Sequence, residues 1–259
     1  MSSYFRATVL QNTPLNPTTY ILTLNPLEEV SEPVPGQFYM IETGNSYDPL
    51  LKRPFSYLRR TPEGIQFLYS VRGKGTLLMR DFRPGKTVNA LGPLGNGYPK
   101  AGVKTTPVLI AGGTGVASIF SLAAQLPRNA YILYGARCSE DLILLTEVKK
   151  LEHKDIVCID CTDDGSCGMQ GTVIDALNTL LSSGPEKITS PLLYACGPKP
   201  MLESLSRIAR EKGLKGYVSL EEHMACGFGA CLGCTVTTVK GNKRVCQEGP
   251  VFPIGEIIW

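Results

Sequence analysis

Through the first hundred residues, apolar side chains recur in short β-prone runs, at 18–24, 37–41, 65–71 and 86–91. Turn formers such as Val34-Pro35-Gly36, Pro62-Glu63-Gly64 and Arg83-Pro84-Gly85 separate them. Runs of this length, closed by Gly and Pro, predict a small antiparallel barrel. The segment Gly92-Pro93-Leu94-Gly95-Asn96-Gly97-Tyr98-Pro99 breaks all periodicity and reads as a domain boundary. From residue 107 the pattern changes: strands at 107–111, 130–135, 156–160, 192–195 and 216–220 alternate with helices at 116–126, 141–152, 173–181 and 200–212. That interleaving predicts a parallel sheet covered by helices on both faces. The chain after Glu221 is too short to build its own core and needs a staple. The expected organisation is thus multi-domain, β followed by α/β, divided as 1–100, 101–220 and 221–259.

Composition narrows the class. At 259 residues and 43% hydrophobic the chain can bury one large or two moderate cores. No apolar run approaches the roughly 18 residues of a membrane helix, and a net charge of +3 is too small to argue for nucleic acid. The charge is uneven, because nine Lys or Arg fall between Lys52 and Lys86 against Glu63 and Asp81 alone. Such a run is either a solvated face or the surround of an anionic cofactor. The N-terminus carries no apolar signal segment, so nine cysteines point to a reducing cytoplasm rather than to a disulfide framework.

Four of those cysteines carry the clearest chemistry. Cys226, Cys231 and Cys234 stand as C-x4-C-x2-C, and Cys246 follows after eleven residues, which is the thiolate spacing of a plant-type [2Fe-2S] site. Glycines at 227, 229 and 233 suit a loop that wraps a cluster and aims N–H groups at sulfur. Structural zinc also takes four cysteines, but zinc ribbons pair two short knuckles instead of one crowded triplet. A Rieske centre needs two histidines in the motif, and His153 and His223 are the only two in the chain. His223 is expected to pack or to support the cluster from outside its ligand set.

Two further loops suit a dinucleotide. Gly112-Gly113-Thr114-Gly115-Val116-Ala117-Ser118 follows the first parallel strand, with Ser118 where the usual fingerprint has Gly or Ala. Cys196-Gly197-Pro198-Lys199-Pro200-Met201 closes a later one, and ligands of open α/β sheets bind along the carboxyl edge. In the β region, Arg53-Pro54-Phe55-Ser56 sets an arginine beside a proline-stiffened turn; it suits a phosphate oxygen or belongs to the solvated basic face. Cys158 and Cys161 lie on or just past a strand and are expected to be packing residues, with no role evident for Cys138 or Cys167. The acidic run Cys138-Ser139-Glu140-Asp141 disfavours a 2′-phosphate, hence NAD over NADP.

The order Arg53-Pro-Phe-Ser56, Gly75-Thr76, Gly112-Gly-Thr-Gly-Val116, Tyr134-Gly-Ala-Arg137 and Cys196-Gly-Pro198 resembles the ferredoxin-reductase superfamily. With the C-terminal cysteine loop appended, the whole chain is similar to the electron-transfer subunits of type B dihydroorotate dehydrogenase. The resemblance implies an FAD-binding barrel, an NAD-binding α/β domain and a [2Fe-2S] module. It also implies a partner: an FMN-containing catalytic subunit that oxidises dihydroorotate, in a heterotetramer of two of each chain. Electrons would pass from FMN through the cluster and FAD to NAD+, in pyrimidine biosynthesis. Carried over by position, Arg53 pairs with the FAD pyrophosphate and Ser56 faces flavin N5. Pro54 and Phe55 belong to the same motif, and Leu68, Tyr69, Ser70, Gly75 and Thr76 contact FAD. Gly112, Gly113, Thr114, Gly115, Cys196, Gly197 and Pro198 line the NAD site, with Cys196 either bordering the nicotinamide or simply buried. Family members often carry Arg where this chain has Ser70. The same resemblance expects no catalytic side chain, since the cofactors carry the redox chemistry. Two rival readings stand beside it: an NAD(P)H-linked flavin and iron–sulfur subunit of a hydrogenase or sulfide dehydrogenase complex, and a zinc-stapled nucleotide-binding regulator.

Overall fold

Phe5, Ala7 and Val9 are buried along β1 (Ser3–Pro14) while their neighbours are not, the period-two signature of a strand with one face on a core. A computed structural model, describing residues 2–44, 47–126, 129–182, 188 and 190–259, shows what that face covers. With β2 (Thr19–Pro26), β3 (Phe38–Ile41), β4 (Arg53–Arg60), β5 (Ile65–Ser70) and β6 (Thr87–Leu94) it forms a closed barrel in the order β1-β2-β5-β4-β3-β6. Pairing of Ser3 with Gly92 through Thr8 with Thr87 closes it, which removes the unpaired strand edges an open sheet would leave. The interior is aromatic: Tyr39 meets Phe67 edge-on at 5.2 Å and Phe5 at 6.2 Å. A short helix, α1 (Lys74–Arg80), follows β5.

The second unit is the expected α/β layer. Its elements are β7 (Thr106–Gly112), α2 (Val116–Gln125), β8 (Ala130–Ala136), α3 (Leu145–Lys149), β9 (Ile156–Thr162), β10 (Met169–Gln170), α4 (Val173–Ser182), β11 (Pro191–Cys196), α5 (Lys199–Glu211) and β12 (Lys215–Ser219). In the tail, β13 (Thr235–Thr238) and β14 (Gly241–Arg244) form a two-stranded sheet. The last strand, β15 (Val251–Pro253), joins the main sheet, whose order is β10-β9-β8-β7-β11-β12-β15. All neighbours are parallel except β15, which runs antiparallel to β12. Strand order reverses between β7 and β11, and the crevice outside the carboxyl ends at such a switch point is where these sheets bind ligands.

Two differences from the sequence reading stand out. The helix expected over 141–152 begins only at Leu145, preceded by the 3-10 turn Ser139–Asp141 and followed by another at Lys150–Lys154. Leu142 and Leu144 are both buried, and two positions about 200° apart on a helix cannot face one core. The boundary expected within 92–99 falls there: β6 runs to Leu94, and the compact units divide between Gly97 and Tyr98. The tail is shared out as well. Glu221–Val236 and Asn242–Pro250 belong with the barrel, Thr237–Gly241 and Val251–Trp259 with the sheet.

Candidate cofactor sites

In the barrel unit, antiparallel pairing sets Ile41 opposite Arg53, Met40 opposite Pro54, Tyr39 opposite Phe55 and Phe38 opposite Ser56. Arg53 donates from Nη1 to the Leu51 carbonyl at 2.7 Å and reaches that of Lys52 only at 3.5 Å. Gly75, at the start of α1, leaves a tight space, because a Cβ would sit 3.2 Å from Arg53 Nε and 3.3 Å from Thr43 Oγ1 and either side chain would have to give way. Thr43 is buried, and its hydroxyl has no hydrogen-bond partner among the described residues. An arginine, an empty Cβ position and an orphaned buried hydroxyl fit an anionic group such as a pyrophosphate.

The other expected flavin contacts range from half-buried to buried. Leu68 and Tyr69 are buried, with the Tyr69 ring stacked on Tyr20 at 5.5 Å, edge-on to Phe55 at 5.9 Å, and its hydroxyl donating to Asn12 Oδ1 at 3.0 Å. Ser70 pairs across strands with Thr19 through their hydroxyls at 3.2 Å. The Thr76 hydroxyl accepts the Arg72 and Gly73 amides at 2.9 and 3.2 Å, so it closes the turn into α1. Thr43 was missed by sequence reasoning: a lone threonine past a strand carries no local signal.

In the α/β unit, the loop over Gly112–Gly115 and the loop after Cys196 meet at the switch point. Ala111 pairs with Cys196, and a Cβ on Gly115 would run into the Cys196 carbonyl. That contact requires glycine at 115 independently of any ligand. No side chain caps α2, which leaves amide N–H groups at its start for a dinucleotide phosphate. Cys196 is buried at the end of β11. Cys161 is buried, and burial pushes its thiol up to about 12, while the half-buried Cys158 thiol is pushed up to about 11. Both sulfurs therefore stay protonated at neutral pH and act in packing. Cys138 is half-buried at the cap of the Ser139–Asp141 turn, and the Cys167 thiol donates to Asp160 at 3.3 Å.

The cysteine loop lies in the barrel unit. Gly227, with φ at 80°, lies so close to β3 that a Cβ there would collide with Met40. The return arm is held by Asn96, whose side chain donates to the carbonyls of Gln247 at 3.1 Å and Glu248 at 3.0 Å. Arg244 donates to the Gly229 carbonyl at 2.9 Å and pairs with Glu248, whose carboxyl that arginine holds down at about 2. Cys234 and Cys246 are buried, Cys226 half-buried and Cys231 exposed. The Cys231 amide donates to Cys226 sulfur at 3.4 Å, and the Cys246 amide to Cys234 sulfur at 3.4 Å. Partial burial works against the Cys226 thiolate, but N–H groups of Cys231, Phe228 and Ala230 outweigh it and bring the thiol down to about 6. Burial followed by the neighbouring Cys234 pushes Cys246 up to about 12. Among the described residues no three Cys, His, Asp or Glu side chains surround one point as a single ion would require. The Cys226 and Cys234 sulfurs each accept an amide from a second cysteine, and four thiolates are the ligand set of a [2Fe-2S] centre. His223 is exposed rather than packed, and the side chain of His153 lies outside the described residues.

Two family profiles match: the iron–sulfur cluster binding domain of dihydroorotate dehydrogenase B over residues 221–258, and the oxidoreductase NAD-binding domain over 109–207. The electron transfer subunit of dihydroorotate dehydrogenase B (NAD(+)) from Desulforamulus reducens is 36% identical across the whole of both chains. The chain belongs to this family of electron-transfer subunits. The homolog from Aquifex aeolicus is 38% identical, again across the whole of both chains. Among solved structures, a chain of an NADH-dependent reduced ferredoxin–NADP oxidoreductase superposes with a TM-score of 0.83 at 27% identity, covering 98% of this chain and 90% of that one. A ferredoxin reductase of carbazole 1,9a-dioxygenase shares the fold, with a TM-score of 0.69 at 21% identity over 82% of this chain and 66% of its own. This electron-transfer subunit is an oxidoreductase component that works with FAD, a [2Fe-2S] cluster and NAD. Among the described residues no helix is long and apolar enough to cross a membrane.

Proposed function

We propose that this chain joins an FMN-containing catalytic subunit in a cytoplasmic heterotetramer, two of each, and passes electrons from dihydroorotate oxidation to NAD+ for pyrimidine synthesis. The observation that carries the reading is the pair of amide-linked cysteine pairs set in the same compact unit as the Arg53–Gly75 cradle. When bound, the cluster supplies one-electron carriage, FAD the exchange between one- and two-electron chemistry, and NAD+ the hydride-accepting end. Cys226, Cys231, Cys234 and Cys246 hold the cluster. The cradle of Arg53 and Gly75, with Pro54, Phe55, Ser56, Leu68, Tyr69, Ser70 and Thr76 shaping the strands and turn beside it, holds FAD. Gly112 to Gly115 and Cys196 to Pro198 hold NAD. The domain roles follow as 1–100 for FAD, 101–220 for NAD and 221–259 for the cluster, whose cysteine-bearing segments lie in the barrel unit. No side chain of this chain is asked to act as acid, base or nucleophile.

The face of the cysteine loop supports a protein partner. Phe228 and Leu232 are 58% and 61% exposed, and Leu232 holds φ at 60°, a left-handed conformation that a leucine adopts at a cost. An apolar side chain held outward under backbone strain does nothing for the free chain, but it fits an anchor for a docked subunit. Replacing Leu232 with glycine should relieve the strain, leave the free chain's melting temperature unchanged or higher, and weaken the complex about tenfold by surface plasmon resonance. Unchanged affinity would remove Leu232 from the interface.

The test of the whole reading is anaerobic reconstitution. The chain alone should oxidise NADH with artificial acceptors and leave dihydroorotate untouched, and adding the FMN subunit should restore dihydroorotate-dependent NAD+ reduction. Failure of a well-formed complex to couple the two reactions would overturn it. A second reading, an NAD(P)H-linked subunit of another flavin and iron–sulfur complex, is favoured by the 0.83 superposition on the NADH-dependent ferredoxin–NADP oxidoreductase chain. Coupled ferredoxin reduction in place of dihydroorotate oxidation would select it.

A further inference from the structure

Thr43 is 1% exposed, and its hydroxyl is one of four buried polar side-chain atoms without a partner among the described residues. A buried hydroxyl without a partner weakens folding, by about five- to 150-fold in the equilibrium constant. Valine, of the same shape, would avoid that loss, so the hydroxyl points to a use toward a group that the described residues do not supply. Its position says which. Ile41 pairs with Arg53 across the β3–β4 ladder. Thr43 follows β3 by two residues, just past the end of that ladder. Thr43 Oγ1 and Arg53 Nε both border the empty Cβ position of Gly75, at 3.3 and 3.2 Å. In this structure the guanidinium turns back, giving Nη1 to the Leu51 carbonyl just ahead of β4, 2.7 Å away.

We infer that Thr43 is a positioning residue for the FAD pyrophosphate, an inference that rests on Arg53 being its phosphate partner. When the phosphate draws the guanidinium off the Leu51 carbonyl, the Thr43 hydroxyl accepts the Nε–H, and the Nη edge is left to meet the phosphate oxygens. Gly75 leaves room for that movement, because a Cβ there would press on both Arg53 Nε and Thr43 Oγ1. A guanidinium fixed at Nε is pre-organised for bidentate phosphate contact and loses less rotamer freedom on binding.

The test is a fluorescence titration of the flavin-free full chain with FAD, run beside thermal unfolding. Thr43→Val should weaken FAD binding about tenfold while the flavin-free protein melts at the wild-type temperature or above it, since the unpaired hydroxyl has gone. Thr43→Ser, which keeps the hydroxyl, should stay within about twofold of wild type in affinity. In an Arg53→Ala background Thr43→Val should cause no further loss, because the two residues act through one contact. Wild-type affinity in Thr43→Val would overturn the inference, as would losses that multiply in the double variant. Lower melting of both Thr43→Val and Thr43→Ser would overturn it in favour of a packing role. A wild-type chain that binds no FAD would overturn the flavin reading itself, a distinct outcome.

Discussion

Serine at Cys226 is expected to abolish dihydroorotate-dependent NAD+ reduction by the assembled complex, with at least about a hundredfold loss, while NADH oxidation by a two-electron acceptor at the flavin largely survives. The amides aimed at Cys226 favour its thiolate, with the thiol at about 6, so a hydroxyl at this position gives up the anionic ligand that the loop stabilises. A cluster on three thiolates is lost or strongly altered, and a one-electron link is removed without touching Arg53, Thr43 or Gly75. Iron content, the visible spectrum and the two assays decide the matter. Coupled turnover that persisted after loss of the cluster would exclude a route through these cysteines. The companion change at Cys231, which is exposed, should remove the cluster with less harm to the fold than the same change at Cys246. Cys246 is buried within the barrel unit, so its replacement disturbs packing together with ligation.

Alanine at Arg53 should weaken FAD binding by about ten- to 150-fold, the range of a hydrogen bond to a charged group of about 1.5–3 kcal/mol. The fold should tolerate the change, because Arg53 is only half-buried and its recorded hydrogen bonds are to backbone carbonyls of its own segment. Flavin released on gel filtration, followed by titration with FAD, gives the number. Undiminished affinity would return Arg53 to the solvated basic face that the run from Lys52 to Lys86 also suits. Riboflavin, which lacks the pyrophosphate, should bind wild type and variant alike, and that comparison ties the loss to the phosphate contact.

Local chain chemistry was enough for the broad architecture and for the cysteine set. Runs of apolar residues closed by Gly and Pro marked β2, β3, β5 and β6, because strand spacing and turn formation are properties of neighbouring residues. The alternation after residue 107 marked a parallel sheet, because a strand buried on both faces must be apolar throughout. Where tertiary packing overrode local preference, the reading slipped. The helix expected from 141 starts at Leu145 since Leu142 and Leu144 both enter the core, and α1 forms over a segment whose Gly75 argues against a helix.

The spacing of Cys226, Cys231, Cys234 and Cys246 is covalent information, so the ligand set could be proposed before any fold was known. Their grouping into 226 with 231 and 234 with 246 could not, because it depends on which amide points at which sulfur. The same holds for the tail, whose two segments return to the barrel through contacts as distant in sequence as Asn96 to Glu248. Thr43 is the plainest case. Nothing around it in the chain distinguishes it from any threonine after a strand, and only the closing of β3 on β4 sets its unpaired hydroxyl beside Arg53 and Gly75. Whether a polar group is satisfied is decided by neighbours that long-range packing brings to it, and no short window of sequence contains them.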